Sequence, residues 1–180
     1  NAVYRWSEGE EASLWLQPAG FTGAIPREGE SGSNGLALDA EGKLVLAQHG
    51  DRRLARMEAP WDAPAPRFET LVGEYEGKRF NSPNDVAPRA NGDLYFTDPP
   101  YGLQGGNEEK ELDFQGVYRL AASGSLTLLT DELSRPNGIA FSPDQSILYV
   151  ANSDGANQPV VMAYDVESDG GISNGRVFFE

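Results

Sequence analysis

One plan recurs three times in this chain, and it limits the fold more than any other feature. Ser33–Gly50 reads SNGLALDAEGKLVLAQHG, Ser82–Tyr101 reads SPNDVAPRANGDLYFTDPPY, and Arg135–Asp154 reads RPNGIAFSPDQSILYVANSD. Each is a turn, a short strand, a tight turn and a second strand. Aligned, they put Asn34, Asn84 and Asn137 in one column, 50 and 53 residues apart. A period of about 50 residues with several short strands per unit marks a β-propeller. The expected fold class is all-β, with no helical periodicity beyond a turn.

The strands can be placed in order. Val3–Trp6 and Ala12–Gln17 match the second half of a unit, since VYRW resembles the later VYRL at Val117–Leu120. The chain is expected to open halfway through a blade, over residues 1–20. Blades follow at 33–73, 82–130 and 135–180. In the first, Leu36, Leu38, Leu44 and Leu46 alternate around the turn Asp39–Lys43, followed by strands Arg53–Met57 and Phe68–Val72. The second has strands at Val86–Ala87, Leu94–Thr97, Val117–Leu120 and Leu126–Thr130, with a polar insertion at Gly102–Gln115. The third has strands at Ile139–Ser142, Ile147–Ala151, Val160–Asp165 and Arg176–Phe179.

This makes about three and a half blades in a single partial domain. Propellers close with about four to eight blades, so an open arc leaves sheet faces uncovered. The expectation is a fragment of a larger propeller, the remainder otherwise coming from another chain, such as a second copy. The start at Asn1 instead of Met suggests processing or truncation upstream.

The formal net charge is −14, from 28 acidic and 14 basic residues. Such a surface repels phosphate backbones and anionic membranes, so neither is an expected partner. The acidity suits cation binding and equally suits plain solubility. No apolar run reaches the roughly 18 residues of a membrane helix. Cysteine is absent, which excludes disulfides and thiolate ligands and fits a soluble protein of cytoplasm or periplasm alike.

Blade geometry turns the repeat into a candidate site. A five-residue strand rises roughly 17 Å, so paired first and second strands cover the same depth. Residues opening each first strand and closing each second strand then meet at one rim. The first group is Asn34, Asn84, Asp85 and Asn137; the second is His49, Asp51, Asp98, Tyr101, Asn152 and Asp154. The insertion Gly102–Gln115 leaves from this rim and is a candidate lid. Amide oxygens are hard neutral ligands of the kind calcium takes, and three in register could encircle one ion. The competing explanation is turn chemistry, because Asn-Gly and Asn-Asp pairs bond their own backbone. His49 is the one histidine, and a packed role competes with a functional one. Asp98, before proline, is alternatively a turn-former. The run Glu108–Glu111 reads as solvated loop, and Arg52–Arg53 as a blade edge.

SPNDV, GDLYFTDPPYGL, GVYRL, RPNGIAFSPD and LYVANSD, together with QHGDRR, resemble the bacterial gluconolactonase branch of the SMP-30/gluconolactonase/luciferin-regenerating-enzyme-like family. The likeness runs through essentially the whole chain in order. It implies a six-bladed propeller with one divalent ion in the channel, most often calcium, with zinc or magnesium as alternatives. The implied ligands are a glutamate near the N-terminus, an Asn-Gly asparagine and a later aspartate. The asparagine falls on Asn137, and the Asn-Asp motif falls on Asn84 and Asp85, where the asparagine contacts ion or substrate. Glutamate and aspartate have no counterpart between Asn1 and Glu180. Ser82 stands where animal members carry arginine, so their sugar-lactone contacts do not transfer.

The function expected is therefore metal-dependent hydrolysis of a small-molecule lactone. Asn137 and Asn84 are the metal candidates. Asn84, Asp85, Tyr101 and Asn34 are the substrate candidates. Asp98 and His49 are candidates to take the proton or to hold the opened hydroxy acid. An organophosphate or aryl-ester hydrolase on the same scaffold, and a non-enzymatic ligand-binding propeller, are the alternatives.

Overall fold

The computed structural model describes residues 1–25, 29–103, 109–156 and 159–180. Sixteen strands run in chain order: β1 (Val3–Arg5), β2 (Ser13–Leu16), β3 (Ser33–Leu38), β4 (Leu44–Gln48), β5 (Arg53–Met57), β6 (Phe68–Val72), β7 (Glu74–Tyr75), β8 (Lys78–Arg79), β9 (Val86–Pro88), β10 (Leu94–Thr97), β11 (Val117–Leu120), β12 (Leu126–Thr130), β13 (Pro136–Phe141), β14 (Ile147–Asn152), β15 (Val160–Val166) and β16 (Ile172–Phe179). They form three four-stranded antiparallel sheets, β3–β6, β9–β12 and β13–β16, each in sequence order. A two-stranded sheet, β1–β2, precedes them. The small hairpin β7–β8 had no counterpart in the sequence reading; it turns through Glu76 and Gly77, both at positive φ. The outermost strand β16 begins at Ile172, four residues before its expected start.

The sheets stack face to face, and period-two alternation explains how. Val45 and Ala47 of β4 pack with Val86, Leu94 and Phe96 of the second blade, around the mutually packed rings of Phe80, Phe96 and Tyr118. Their chain neighbours Leu44 and Leu46 point the other way, onto Leu16 and Ala19. Tyr95 of β10 likewise turns from that layer to join Ile139, Leu148 and Val150 of the third blade. A strand sandwiched on both faces reads as an apolar run, which is why LVLAQ is buried throughout.

Leu36 and Leu38 of β3 differ from the buried leucines Leu44 and Leu46 of β4. The β3 pair is about half exposed, because β1 and β2 cover β4–β6 and leave the innermost strand β3 bare on that side. The innermost strands β3, β9 and β13 lie side by side. Four-stranded sheets radiating from such an axis are blades of a β-propeller.

Candidate functional site

The asparagine column lies on backbone irregularities. The register between β3 and β4 slips between Ser33 and Leu36, and that between β13 and β14 slips between Pro136 and Ile139. A bulge at the head of an inner strand lifts its side chain out of the alternating pattern and re-aims it. Asn34 and Asn137 sit in these two bulges, each followed by glycine.

Backbone bonds tie the three heads together. The Gly35 N–H donates to the Asn84 carbonyl at 2.6 Å. Thr97 Oγ1 donates to the Asn137 carbonyl at 2.6 Å and accepts the Asp85 N–H at 3.2 Å. Gly35 is required by this approach: a Cβ there would come 2.7 Å from Asp85 Cα and 2.9 Å from the Asn84 carbonyl oxygen.

The side chains meet different fates. Asn84 is 1% exposed, and its Nδ2 lies 3.1 Å from His49 Nε2. Its Oδ1 is buried without a partner among the described residues. Buried amide oxygens are mostly satisfied, and Asn84 Oδ1, like the nearby Asn81 Oδ1, is an open acceptor among the described residues. Asn137, at the head of β13 in the next blade, is half-buried. Asn34 is exposed. Asp85, half-buried, bridges blades: Oδ1 accepts the Val86 N–H and Oδ2 accepts the Ile139 N–H of the third blade, at 2.9 and 3.0 Å.

His49 is 2% exposed. Burial pushes its imidazole down to about 4, against the opposing pull of a bond to the Glu30 backbone. It is therefore neutral near pH 7. Nδ1 faces Glu30, with that residue's Oε2 at 3.5 Å, and Nε2 faces the amide of Asn84.

Asp98 lies behind the rim. It is fully buried, and its oxygens accept the N–H groups of Asn81 and Ser82 at 2.8 and 2.7 Å. Burial pushes its carboxyl up to about 7, opposed by those two bonds and by the Arg52 charge. The third blade repeats the device, with Asn152 Oδ1 accepting the Arg135 N–H at 2.7 Å. Each clamp fixes the residue two places before a column asparagine. Tyr101 is half-buried with the Arg135 guanidinium 5.8 Å from its ring centroid. The neighbouring Gly102 packs against His49 and Ser82 so closely that a Cβ would come 2.7 and 2.8 Å from theirs.

Asp51 holds Thr22 and Arg53, and Asp154 accepts from Ser134 and Ala156. Arg52, in the turn between β4 and β5, is 4% exposed and donates from Nε to the Phe80 carbonyl. Of the proposed lid, residues 104–108 lie outside the described residues, and Glu108 of the acidic run with them. Among the described residues no three His, Asp or Glu side chains gather to hold a metal ion. Sequence reasoning missed Thr97, whose link to the Asn137 carbonyl has no signal in the repeat. It also missed Gly35, which was visible only as half of an Asn-Gly pair.

Stacked antiparallel sheets, with inner strands on one axis and bulged polar heads at one rim, place this chain among the β-propellers. It belongs to the SMP-30/gluconolactonase/LRE-like family, whose model matches residues 2–180. It is 41% identical over 174 residues to a gluconolactonase of Zymomonas mobilis, covering 94% of this chain and 48% of that protein. A gluconolactonase structure from Xanthomonas campestris superposes with a TM-score of 0.80 at 35% identity, covering 98% of this chain and 55% of the other. A luciferin-regenerating enzyme shares the fold at a TM-score of 0.62 and 21% identity, over 82% of this chain and 47% of its own. The chain thus spans about half the length of these relatives.

Proposed function

We propose that the protein carrying this chain hydrolyses a lactone of the aldonolactone class, and that this chain supplies the amide side of a divalent-cation and substrate site. The observation that carries the proposal is the buried, unpartnered Oδ1 of Asn84 at the mouth of the inner strands, in a chain similar to gluconolactonases. A neutral hard oxygen fits calcium, which mixes amide carbonyls with carboxylates and water. Asn137, next in the column, would stand beside it. When bound, the ion would polarise the lactone carbonyl and acidify the attacking water.

The chain's own residues define the mouth. Asn84 orients the carbonyl or completes the cation's shell. Tyr101, at the rim beside Gly102, offers a ring edge and a hydroxyl to a polyhydroxylated ring. Asp98 shapes the Ser82–Asn84 approach through its two backbone bonds, because both its oxygens already accept N–H groups. Asp85 similarly joins β9 to β13.

The test uses the entire gene product against sugar lactones and simple aliphatic lactones, before chelation, after chelation and after calcium return. Hydrolysis that chelation abolishes and calcium restores, and that Asn84→Ala lowers by 100-fold or more, is expected. Full activity in Asn84→Ala, or no turnover of any lactone with calcium present, would overturn the proposal.

A further inference from the structure

An amide has two ends, and only one suits a cation or a carbonyl-binding site. Rotating the Asn84 amide by half a turn would exchange Oδ1 for an NH2 group, which repels a cation. The amide therefore needs a neighbour that tells its ends apart.

His49 is that neighbour. On the far side of the ring Nδ1 lies 3.5 Å from the Glu30 carboxylate, an acceptor. A ring that meets an amide NH2 at Nε2 and a carboxylate at Nδ1 carries its proton on Nδ1 and leaves a lone pair on Nε2. That lone pair is 3.1 Å from Asn84 Nδ2. The NH2 end is held there, and Oδ1 is left as the buried oxygen without a partner. The ring cannot slide away, since Gly102 closes over it with no room for even a methyl group.

We propose that His49 is a positioning residue, which fixes the Asn84 amide with Oδ1 turned into the site by accepting its NH2. The inference rests on the function proposed above, because it gives Oδ1 a ligand to meet. It assigns His49 no proton transfer: Nε2 is engaged by Asn84, and Nδ1 by Glu30.

Two measurements test it on the entire protein. The first is the imidazole nitrogen NMR spectrum of the wild type at pH 7 without metal. A proton on Nδ1 and a bare Nε2 is expected, and a proton on Nε2 overturns the inference. The second is calcium affinity by calorimetry in His49→Leu, His49→Gln, Asn84→Ala and the His49→Leu/Asn84→Ala pair. Partners that orient a ligand typically contribute about 10- to 100-fold in affinity. His49→Leu should weaken calcium binding by that factor, and His49→Gln, whose amide oxygen can accept the same N–H, should recover part of it. In the Asn84→Ala background His49→Leu should change nothing further. Unchanged affinity in His49→Leu, or effects that add independently, sinks the positioning role alone. Unchanged affinity in Asn84→Ala removes the oxygen from the cation site and sinks the functional proposal beneath it.

Discussion

At the scale of single residues, burial sets the chemistry. His49 and Asp98 are both out of water, and desolvation moves each toward its neutral form. The consequences for stability have opposite signs. The histidine falls from 6.5 to about 4, so on acidification the unfolded chain binds its proton first. Its contribution is complete above pH 6.5 and is lost as pH falls toward 4, by about 3 kcal/mol at most. The aspartate rises from 3.8 to about 7, so the folded chain binds its proton first. Its contribution grows as pH falls from 7 and is complete below 3.8, about 4 kcal/mol at most. The two nearly offset each other in the wild type. Relative to wild type, His49→Leu should gain stability between pH 7 and 4, and Asp98→Asn should lose it. Urea titrations at several pH values check this; parallel curves for all three proteins would refute it.

Elements are held by a repeated clamp. The residue closing a second strand, Asp98 or Asn152, accepts backbone N–H groups from the segment entering the first strand. Removing Asp98 leaves two buried N–H groups bare, each costing about 1–3 kcal/mol, whereas removing Asn152 bares one that is only partly buried and costs less. Asp98→Ala should therefore destabilise more than Asn152→Ala in chemical denaturation, and equal losses would contradict the shared role. Gly35 is the matching steric element. Gly35→Ala drives a methyl group into the Asn84–Asp85 backbone. A cost of about 1–3 kcal/mol is expected, as for other overpacking changes. The same denaturation assay reads it, and a neutral result would mean that β3 and β9 can separate freely.

At the scale of the whole chain, this stretch leaves two sheet faces uncovered. At one, Leu36 and Leu38 are 44% and 51% exposed; at the other, Phe178 and Phe179 are 63% and 68% exposed. Phe178 packs on Tyr149, their ring centroids 4.8 Å apart, so aromatic rings lie exposed on that face. Patches of this kind bind apolar dyes and associate. The 180-residue chain alone should enhance the fluorescence of such a dye and sediment as a concentration-dependent mixture. Phe178→Lys with Phe179→Thr should reduce both. A monomeric wild type with no dye binding would count against uncovered faces. No helix among the described residues is long and apolar enough to cross a membrane.

By itself the sequence determined the repeat, and with it the four-stranded sheets, the antiparallel order and the sharing of Asn34, Asn84 and Asn137 among inner-strand heads. Those depend on local alternation and turn chemistry, which are written in neighbouring residues. It also carried the family, through motifs such as SPNDV and RPNGIAFSPD. Only the tertiary structure decided which member of each column faces what. Asn84 is enclosed where His49, from a distant segment, meets its amide and Gly102 packs over His49, while the equivalent Asn34 stands exposed at the bare side of β3. Asp98 and Asp85 look like free carboxylates in the string of letters, yet both are occupied by backbone N–H groups from 16 or more residues away. The hydrogen-bond partners of a buried polar group are set by distant chain brought close in folding, and periodicity holds no record of them.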